Sequence, residues 1–263
     1  MKIAICLSGQ PRSGIAASQF IKDYFKCDPT LIEVDYFCHT WTSNEWKTDA
    51  SNIPGQELHL NETIEINAIQ ELFDKFSPKA SQYNNYNVID NYTTNSRFKN
   101  CHWRYMFYSM MIANHLKKKH EIENNFKYDL VIKTRFDAVF EPETSFYHRL
   151  TPPENKTLYT SSLEKFRYEF NRINFADMTF YGKSSVMDLA CDYFNHLAFR
   201  LHSLEDYAVG PGVGLYKYLT DLNVSCKLSK TPDIILRRPA LSNLSWTNIV
   251  NVHKELLPKS PPS

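Results

Sequence analysis

The sequence predicts an α/β fold in which an open, mostly parallel sheet is flanked by helices. Continuous apolar runs such as Lys2 to Leu7 are typical of strands that are covered on both faces. Segments with apolar residues at helical spacing separate these runs, and the clearest begins at Trp103 and extends to about Glu123. This alternation of strands and helices in the first half of the chain is the pattern of a parallel sheet.

The individual elements follow from local signals. Pro78 ends a helix, residues 80–100 show no clear periodicity and are predicted as a loop or a strand plus loop, and a capping box at Ser185 to Asp188 opens a later helix. In chain order we predict a strand at 2–7, a helix at 13–25, a strand at 34–41, helices at 63–76 and 103–123, a strand at 128–139, short strands at 157–161 and 175–182, a helix at 185–201, a helix after the turn at 210–214, and a last strand at 234–236.

Composition limits the classes of protein to consider. The 263 residues allow one large α/β domain or at most two small ones, and 43% hydrophobic residues are enough for a core. The 30 basic and 29 acidic residues give a net charge of +1, which argues against nucleic acid as a partner. The only dense basic run, Lys117 to His120, falls late in a predicted helix, where it would complement the helix dipole.

Cysteine usage and hydropathy point to an intracellular protein. The six cysteines are widely spaced and include no C-x-x-C pair, which argues against a zinc ribbon or a disulfide scaffold. The apolar run at the amino terminus is too short for a signal peptide, and no stretch approaches the roughly 20 apolar residues of a membrane span. We therefore expect a cytoplasmic protein without a transmembrane segment.

Polar residues follow three of the predicted strands, and ligands bind outside the carboxyl ends of strands in such sheets. Ser8, Gly9 and Arg12 end the first strand, where glycine permits close approach and arginine suits phosphate. The segment 39–41 (His-Thr-Trp) ends the second strand and could stack a base, although Trp41 could equally cap the core.

The third strand end, at Lys133 to Asp137, is the strongest candidate site. Strand alternation would put Lys133, Arg135 and Asp137 on one face, with Thr134 and Phe136 on the other. Two cations and a carboxylate could bind a diphosphate and hold a divalent metal through Asp137. The alternative is a simple salt bridge between Arg135 and Asp137.

Four segments together resemble a group of bacterial and viral glycosyltransferases with the GT-A type of fold. They are 3–12 (IAICLSGQPR), 37–41 (FCHTW), 108–114 (YSMMIAN) and 128–137 (YDLVIKTRFD). The resemblance implies one GT-A-like domain over 1–257, with a nucleotide-binding half at 1–140 and a small acceptor-side subdomain in the half at 141–257. The tail at 258–263 is predicted to be disordered.

The resemblance also implies a nucleotide-diphosphate sugar donor and a divalent metal, Mn²⁺ or Mg²⁺, held by an Asp-x-Asp motif. Arg135 stands where the first acidic residue of that motif would be, which puts metal dependence in doubt. Asp137 is the remaining predicted metal ligand, and His253 matches in rough position a carboxyl-terminal ligand of some relatives. Arg135 could partly replace the metal by neutralising leaving-group charge.

Further candidates lie on the long helix and near the acceptor side. Arg104 and Ser109 are possible diphosphate or ribose contacts, and Asn114 could either tie a loop to the core or reach the donor. An inverting transfer needs a general base, and the candidates for it are Asp177, Glu205 and Asp206. Asp206 could instead be structural, because 203–206 also fits a capping box.

The sequence thus predicts a hexosyltransferase that moves a sugar from a nucleotide-diphosphate donor, expected to be a UDP-sugar, to a carbohydrate hydroxyl. Two alternatives stay open. One is a degenerate, non-catalytic domain that binds a nucleotide or a carbohydrate, and the missing first carboxylate favours it. The other is a sugar nucleotidyltransferase, which would need a metal cage and a basic phosphate loop that the sequence does not display.

Overall fold

A computed structural model describes most of the chain. The described residues are 1–11, 14–42, 64–90, 103–139, 150–160, 163–165, 173–175, 179–200, 211–229 and 234–235. Every structural statement below concerns these residues.

A seven-stranded sheet forms the centre of the fold. From edge to edge its strands are β10 (Ser225–Leu228), β6 (Thr157–Thr160), β9 (Phe180–Gly182), β4 (Leu130–Thr134), β1 (Lys2–Ser8), β2 (Glu33–Trp41) and β3 (Ala80–Asn84). Only β9 runs antiparallel to its neighbours, so the carboxyl ends of the other six strands meet at one edge of the sheet. The predicted α/β class with an open, mostly parallel sheet flanked by helices is confirmed.

Two small two-stranded sheets accompany the main one. β5 (Ala138–Val139) pairs with β11 (Ile234–Ile235), and β7 (Leu163–Lys165) pairs with β8 (Ile173–Phe175), both antiparallel. Strands from both predicted halves of the chain join the main sheet, because β9 pairs with β4. The boundary between a nucleotide-binding half and an acceptor-side half stays a prediction.

Helices cover both faces of the sheet. Alternation along β1 sends Ile3, Ile5 and Leu7 to one core cluster and Ala4 and Cys6 to the other. The first cluster is closed by α1 (Gly14–Tyr24) and α2 (Ile66–Phe76), and the second by α4 (Arg104–Glu123), α5 (Ser184–Cys191) and α6 (Tyr193–Asn195). A short helix α3 (Asn87–Asp90), a π-helical turn (His196–Arg200) and α7 (Pro211–Asp221) complete the described helices.

The strand predicted at 128–139 divides into two strands. β4 ends at Thr134, a turn occupies 135–137, and β5 follows in a different sheet. The reason is visible in the packing: Phe136 joins the buried cluster under α1 and α2. Alternation therefore does not continue past Thr134, and the prediction that Lys133, Arg135 and Asp137 share one strand face is wrong.

Three other local predictions need correction. The strand predicted at 175–182 is two separate strands, because Phe175 ends β8 and β9 begins at Phe180 inside the main sheet. β10 was missed, because an edge strand that is mostly exposed carries no apolar run. Residues 211–214 of the turn predicted at 210–214 form the first turn of α7, where Pro211 is tolerated because the first helical N–H has no intrahelical acceptor.

A buried cluster of charges joins α4 to α5. Lys117 Nζ lies 2.7 Å from Ser184 Oγ, 2.9 Å from Asp188 Oδ1 and 3.3 Å from Glu121 Oε2, and its side chain is fully buried. Glu121 also accepts hydrogen bonds from the Ser184 hydroxyl and the Tyr128 N–H. The basic run at 117–120 is therefore not simply a dipole partner, because its first lysine is an internal counter-ion.

The same cluster explains why the predicted capping box is wrong. α5 begins at Ser184 with Lys183 as its N-cap, and no side chain caps it. Asp188 turns instead toward α4 and accepts from Lys117 and from Asn114 Nδ2, at 2.9 Å in each case. Burial alone would raise the pKa of Asp188, but the charge of Lys117 and these hydrogen bonds lower it below its ordinary value.

Candidate active site

Three of the polar strand ends that the sequence singles out lie side by side in the structure. β1 lies between β2 and β4, with Ser8 paired in register with His39 and Leu7 with Thr134. The chain therefore leaves the sheet at Gly9 and at Arg135 from adjacent strands. This carboxyl edge is where a parallel sheet places its ligands.

The turn after β4 holds an internal ion pair. Arg135 donates from Nε to Asp137 Oδ1 and from Nη2 to Asp137 Oδ2, both at 2.7 Å. The Asp137 side chain is fully buried and that of Arg135 is 17% exposed. A carboxylate that engages the guanidinium in this two-point manner fixes the plane of the guanidinium and leaves the arginine at the solvent boundary.

Helix α1 packs against this turn. A Cβ placed on Gly14, the first residue of α1, would lie 2.9 Å from Phe136 Cβ and 3.0 Å from a methyl group of Leu72. Such a distance is too short for real carbon atoms, so only glycine allows the helix to approach this closely. Phe136 is thereby held between α1 and α2, and the Arg135–Asp137 pair on either side of it is fixed in place.

Lys133 lies on β4, ahead of the turn that holds that pair. It is fully buried, and its Nζ lies 5.4 Å from the centroid of the Phe180 ring on β9. Phe180 belongs to the core cluster beneath α4 and α5, whereas Phe136 belongs to the cluster on the other face. Lys133 is therefore inside the fold in this structure, and its predicted contact with a diphosphate stays a prediction.

Gly9 is held at the end of β1 by hydrogen bonds to both its N–H and its carbonyl group. Its φ of 115° lies in the region that L side chains avoid. The N–H donates to Ser109 Oγ at 2.7 Å and more weakly to the His39 carbonyl at 3.3 Å. The carbonyl oxygen accepts from the Thr40 hydroxyl at 2.9 Å. The direction in which the chain leaves β1 is thus fixed by β2 and α4.

His39 links this contact to the edge of the sheet. Burial lowers the pKa of His39 to about 4, so the ring is neutral near pH 7. Its Nε2 lies 2.9 Å from Asn84 Oδ1, and because an amide oxygen only accepts, Nε2 carries the proton. Nδ1, 2.7 Å from Ser109 Oγ, then accepts from the Ser109 hydroxyl.

Trp41 is the centre of an aromatic cluster at the carboxyl end of β2. It is 1% exposed, and the nearest ring centroid is that of Tyr86 at 4.7 Å. Tyr105 and Tyr108 of α4 also contact it, and Tyr105 is partly exposed. Arg104 is buried beside this cluster and donates to the Tyr105 hydroxyl at 2.7 Å. The stacking of a base on His39 or Trp41 stays a prediction.

The remaining predicted residues divide into those that the structure describes and those that it does not. Ser8 is 2% exposed, and its hydroxyl has no hydrogen-bond partner among the described residues. Asn114 contacts Asp188 and so ties α4 to α5, a link between two helices, whereas its predicted tie to a loop and its predicted contact with the donor both stay predictions. Arg12, Asp177, Glu205, Asp206 and His253 lie outside the described residues, as does the tail at 258–263.

The described residues do not fit a metal cage. No three His, Cys, Asp or Glu side chains among them are placed to hold a metal ion. Asp137 is a single carboxylate, and each of its oxygens accepts a hydrogen bond from Arg135. Mg²⁺ and Mn²⁺ favour several oxygen ligands in octahedral geometry. Asp137 alone does not supply such a set.

Comparisons with known proteins return only distant structural similarity. The sequence matches no known family profile and no curated protein sequence. The structure aligns with a glycosyltransferase involved in the glycosylation of the major capsid of PBCV-1, at 7% identity and a TM-score of 0.40, over 87% of this chain and 81% of that one.

Two further structures align to a similar extent. One is the nucleoside-diphosphate-sugar pyrophosphorylase from Vibrio cholerae RC9, at 8% identity and a TM-score of 0.41, over 91% of this chain and 97% of that one. The other is the galactosyltransferase LgtC in complex with donor and acceptor sugar analogues, at 9% identity and a TM-score of 0.41, over 87% of this chain and 73% of that one. Likeness at this level assigns neither family nor function, so a functional assignment has to rest on the residues of the site.

Several residues of this edge were not found from the sequence. Asn84 completes the hydrogen-bond chain to His39, Gln10 Nε2 donates to the Tyr86 hydroxyl at 2.8 Å, and the Thr134 and Thr179 hydroxyls lie 2.9 Å apart. Asn84 ends a short, half-exposed strand without an apolar pattern, so no periodic signal marks it.

No helix in the part of the chain described is long and apolar enough to cross a membrane.

Proposed function

We propose that the protein is a glycosyltransferase that moves a hexosyl group from a nucleotide-diphosphate donor to a carbohydrate hydroxyl. The observation that carries this proposal is the oriented Arg135–Asp137 pair at the carboxyl end of β4, next to the Gly9 turn of β1. The UDP moiety and the cytoplasmic location expected from the sequence are part of the same proposal.

The chemistry that the pair would perform is stabilisation of the leaving group. In the transfer, the bond between the anomeric carbon and the diphosphate oxygen breaks, and the nucleoside diphosphate leaves with the electron pair. A fixed cation near that oxygen lowers the barrier, because its orientation is settled before the charge develops. Asp137 would hold Arg135 in that orientation, and Arg12 would add a second cation from the β1 turn.

The acceptor hydroxyl forms the new bond to the anomeric carbon and must lose its proton. We propose Glu205, Asp206 or Asp177 as the group that accepts it if the transfer inverts the anomeric configuration. β9 (Phe180–Gly182) runs antiparallel between β4 and β6, so its first residue, Phe180, pairs with Lys133 near the carboxyl edge of the sheet, and Asp177 precedes it by three residues in the sequence. A retaining transfer would not need this base.

A divalent metal is not required by this proposal. Asp137 and His253 are the residues that would hold Mn²⁺ or Mg²⁺ if one were used, and a metal there would neutralise diphosphate charge. The pairing of both Asp137 oxygens with Arg135 supports the arginine as the principal cation instead. We therefore expect the affinity for UDP in EDTA to remain within about tenfold of that in Mn²⁺, a change of about 1.4 kcal/mol.

A second candidate function is binding without turnover. It is favoured by the same observation, because a carboxylate that is fully engaged by an arginine resembles a structural ion pair. A domain of this kind would bind a nucleotide diphosphate or a carbohydrate and would release no UDP from any donor. A sugar nucleotidyltransferase is the third possibility, and no feature of the described residues favours it.

The first experiment is calorimetric binding of UDP, GDP, ADP and CDP to the full chain, with Mn²⁺ and separately with EDTA. We expect one nucleotide to bind better than the others in both conditions. Release of the nucleotide from a panel of its sugar conjugates then separates a transferase from a binding domain. If no nucleoside diphosphate binds in either condition, the proposal is wrong.

Variants test the role of Arg135 directly. Arg135→Lys keeps the charge but loses the two-point contact, so we expect binding of the nucleotide to weaken about 10- to 100-fold, the value of one or two charge-assisted hydrogen bonds. Lys119→Ala is the control, because Lys119 is exposed on α4 and pairs only loosely with Glu123, at 3.8 Å. Binding that is unchanged in Arg135→Lys but weakened in Lys119→Ala would show that general electrostatics, not the oriented arginine, attracts the ligand.

A further inference from the structure

The Ser109 hydroxyl is the centre of a buried hydrogen-bond network that converges on Gly9. Ser109 is fully buried on α4, and both of its partners, Gly9 and His39, lie far from it in the sequence. Its oxygen accepts from the Gly9 N–H at 2.7 Å and lies 2.7 Å from His39 Nδ1 and 3.1 Å from the His39 carbonyl oxygen. One hydroxyl therefore joins α4 to the ends of β1 and β2.

The network continues to the edge of the sheet. His39 Nε2 contacts Asn84 Oδ1, and that oxygen also accepts from Gln82 Nε2 at 2.7 Å. Both Gln82 and Asn84 are partly exposed on β3, whereas His39 and Ser109 are fully buried. The single Ser109 proton is donated to His39 Nδ1, so the longer approach to the His39 carbonyl oxygen at 3.1 Å is not a second hydrogen bond. The other contacts in this chain each pair a donor with an acceptor, which is required of polar groups that are excluded from water.

Gly9 needs to be held, because a glycine without support has many conformations of similar energy. Its φ of 115° is in a region that the chain samples freely only at glycine, so the unrestrained turn would have many alternative conformations. The Gly9 N–H is used by Ser109 and its carbonyl by Thr40. The N–H, which is the group that could donate to a phosphate, is therefore not offered to a ligand, and the turn is prepared for binding rather than binding through Gly9 itself.

We infer that Ser109 is a positioning residue for the donor site: through Gly9 it fixes the turn after β1 in the conformation that receives the diphosphate of a nucleotide sugar. This inference rests on the proposed function. It revises the direct ligand contact expected of Ser109 from the sequence, since a buried hydroxyl that serves Gly9 and His39 acts on the ligand through them. Prior ordering of a binding loop raises affinity by removing the entropy cost of ordering it on binding.

The test compares two buried serines. Ser109→Ala removes the hydroxyl that holds Gly9, and Ser184→Ala removes a buried hydroxyl of the α4–α5 charge cluster, remote from the carboxyl edge. Both variants are expected to be less stable than the wild type. Only Ser109→Ala is expected to raise the Kd for UDP or the donor KM, by about tenfold, while kcat changes less than threefold.

A merely structural role for Ser109 gives a different result. Loss of folded protein would lower kcat, or the number of binding sites in calorimetry, equally in both variants and would leave the donor KM and the Kd unchanged. That outcome would overturn the inference. Ser109→Thr keeps the hydroxyl and should restore the Kd to within about threefold of the wild type.

Two further measurements keep the inference testable if Ser109→Ala does not fold. Thr40→Val removes the hydrogen bond to the Gly9 carbonyl with little change of shape and should raise the Kd in the same direction. Amide hydrogen exchange at Gly9 should be faster in Thr40→Val and in Ser109→Ala, but not in Ser184→Ala. A wild-type chain that binds no nucleotide diphosphate would overturn the proposed function and this inference together, whereas binding unchanged in Ser109→Ala and Thr40→Val would overturn the inference alone.

Discussion

Replacement of Lys117 by methionine should destabilise the protein strongly. The side chain of Lys117 is fully buried between two carboxylates, Glu121 and Asp188. Methionine keeps the aliphatic stem of the lysine, so packing changes little and the missing charge dominates. Breaking a buried ion pair by removing one partner costs about 3 to 5 kcal/mol, because the other partner stays buried without compensation.

The structure places the expected loss at the lower end of that range. Glu121 keeps hydrogen bonds from Ser184, the Tyr128 N–H and Lys127, and the Asp188 side chain is 18% exposed and keeps Asn114. We therefore expect a loss of about 3 kcal/mol in the free energy of unfolding. For a domain of this size that corresponds to a decrease in Tm of roughly 6 to 12 °C.

Urea unfolding followed by circular dichroism measures this loss, with thermal unfolding as a second assay. Lys119→Met is the matched control, since Lys119 is exposed two residues away and should change stability by less than about 0.5 kcal/mol. A Lys117→Met variant within about 1 kcal/mol of the wild type would refute the reasoning. It would mean that the carboxylates take up protons or water at no cost.

Three more predictions follow from the same structure. Burial alone would raise the pKa of Glu121, but hydrogen bonds and the charge of Lys117 lower it, so the stabilisation by Glu121 is full above the unfolded-state pKa and is lost as the pH falls through the folded-state pKa. The difference in unfolding free energy between the wild type and Glu121→Gln should therefore shrink between pH 5 and pH 3. A difference that stays constant over this range would contradict the prediction. Gly9→Ala should lower the free energy of unfolding by about 1 to 2 kcal/mol through backbone strain, although no atom lies within 4 Å of the added Cβ. Urea unfolding measures this loss, and a variant as stable as the wild type would contradict the prediction. Burial raises the pKa of the Cys38 and Cys191 thiols, and it raises the pKa of the Cys6 thiol to about 12. Mass mapping should therefore find all three thiols unlabelled by a thiol reagent at pH 8 until denaturant is added. Labelling of any one of them in the native protein would contradict their burial in the core.

Local signals were sufficient for most of the helices and strands. The buried strands β1 and β2 and the helices α2 and α4 were predicted within about three residues, because apolar periodicity is a property of a short window of sequence. The antiparallel position of β9 was not predicted, since pairing partners lie far apart in the chain. β10 carries too few buried residues to give a signal.

The candidate site was predicted in outline and not in detail. The rule that ligands meet the carboxyl ends of parallel strands identified the edge, and the register of β1 with β2 and β4 brings those ends together. Alternation was applied one step too far at Arg135, because Phe136 packs into the core and turns the chain. The tie between Gly9 and Ser109 joins residues from distant parts of the chain, which sequence patterns do not relate.

The order of the strands in the sheet has a consequence for how the chain folds during synthesis. β1 to β4 precede the other strands of the main sheet in the chain and are neighbours in it, so they can pair while the later strands are still being synthesised. β4 then presents an unpaired edge until β9 is made, and an exposed strand edge is a template for aggregation. Synthesis proceeds at roughly 5 to 20 residues per second, so each new chain carries this open edge for a period of seconds. Variants that delay the docking of β9 should therefore lower the yield of folded protein in the cell before they lower the stability of the finished fold.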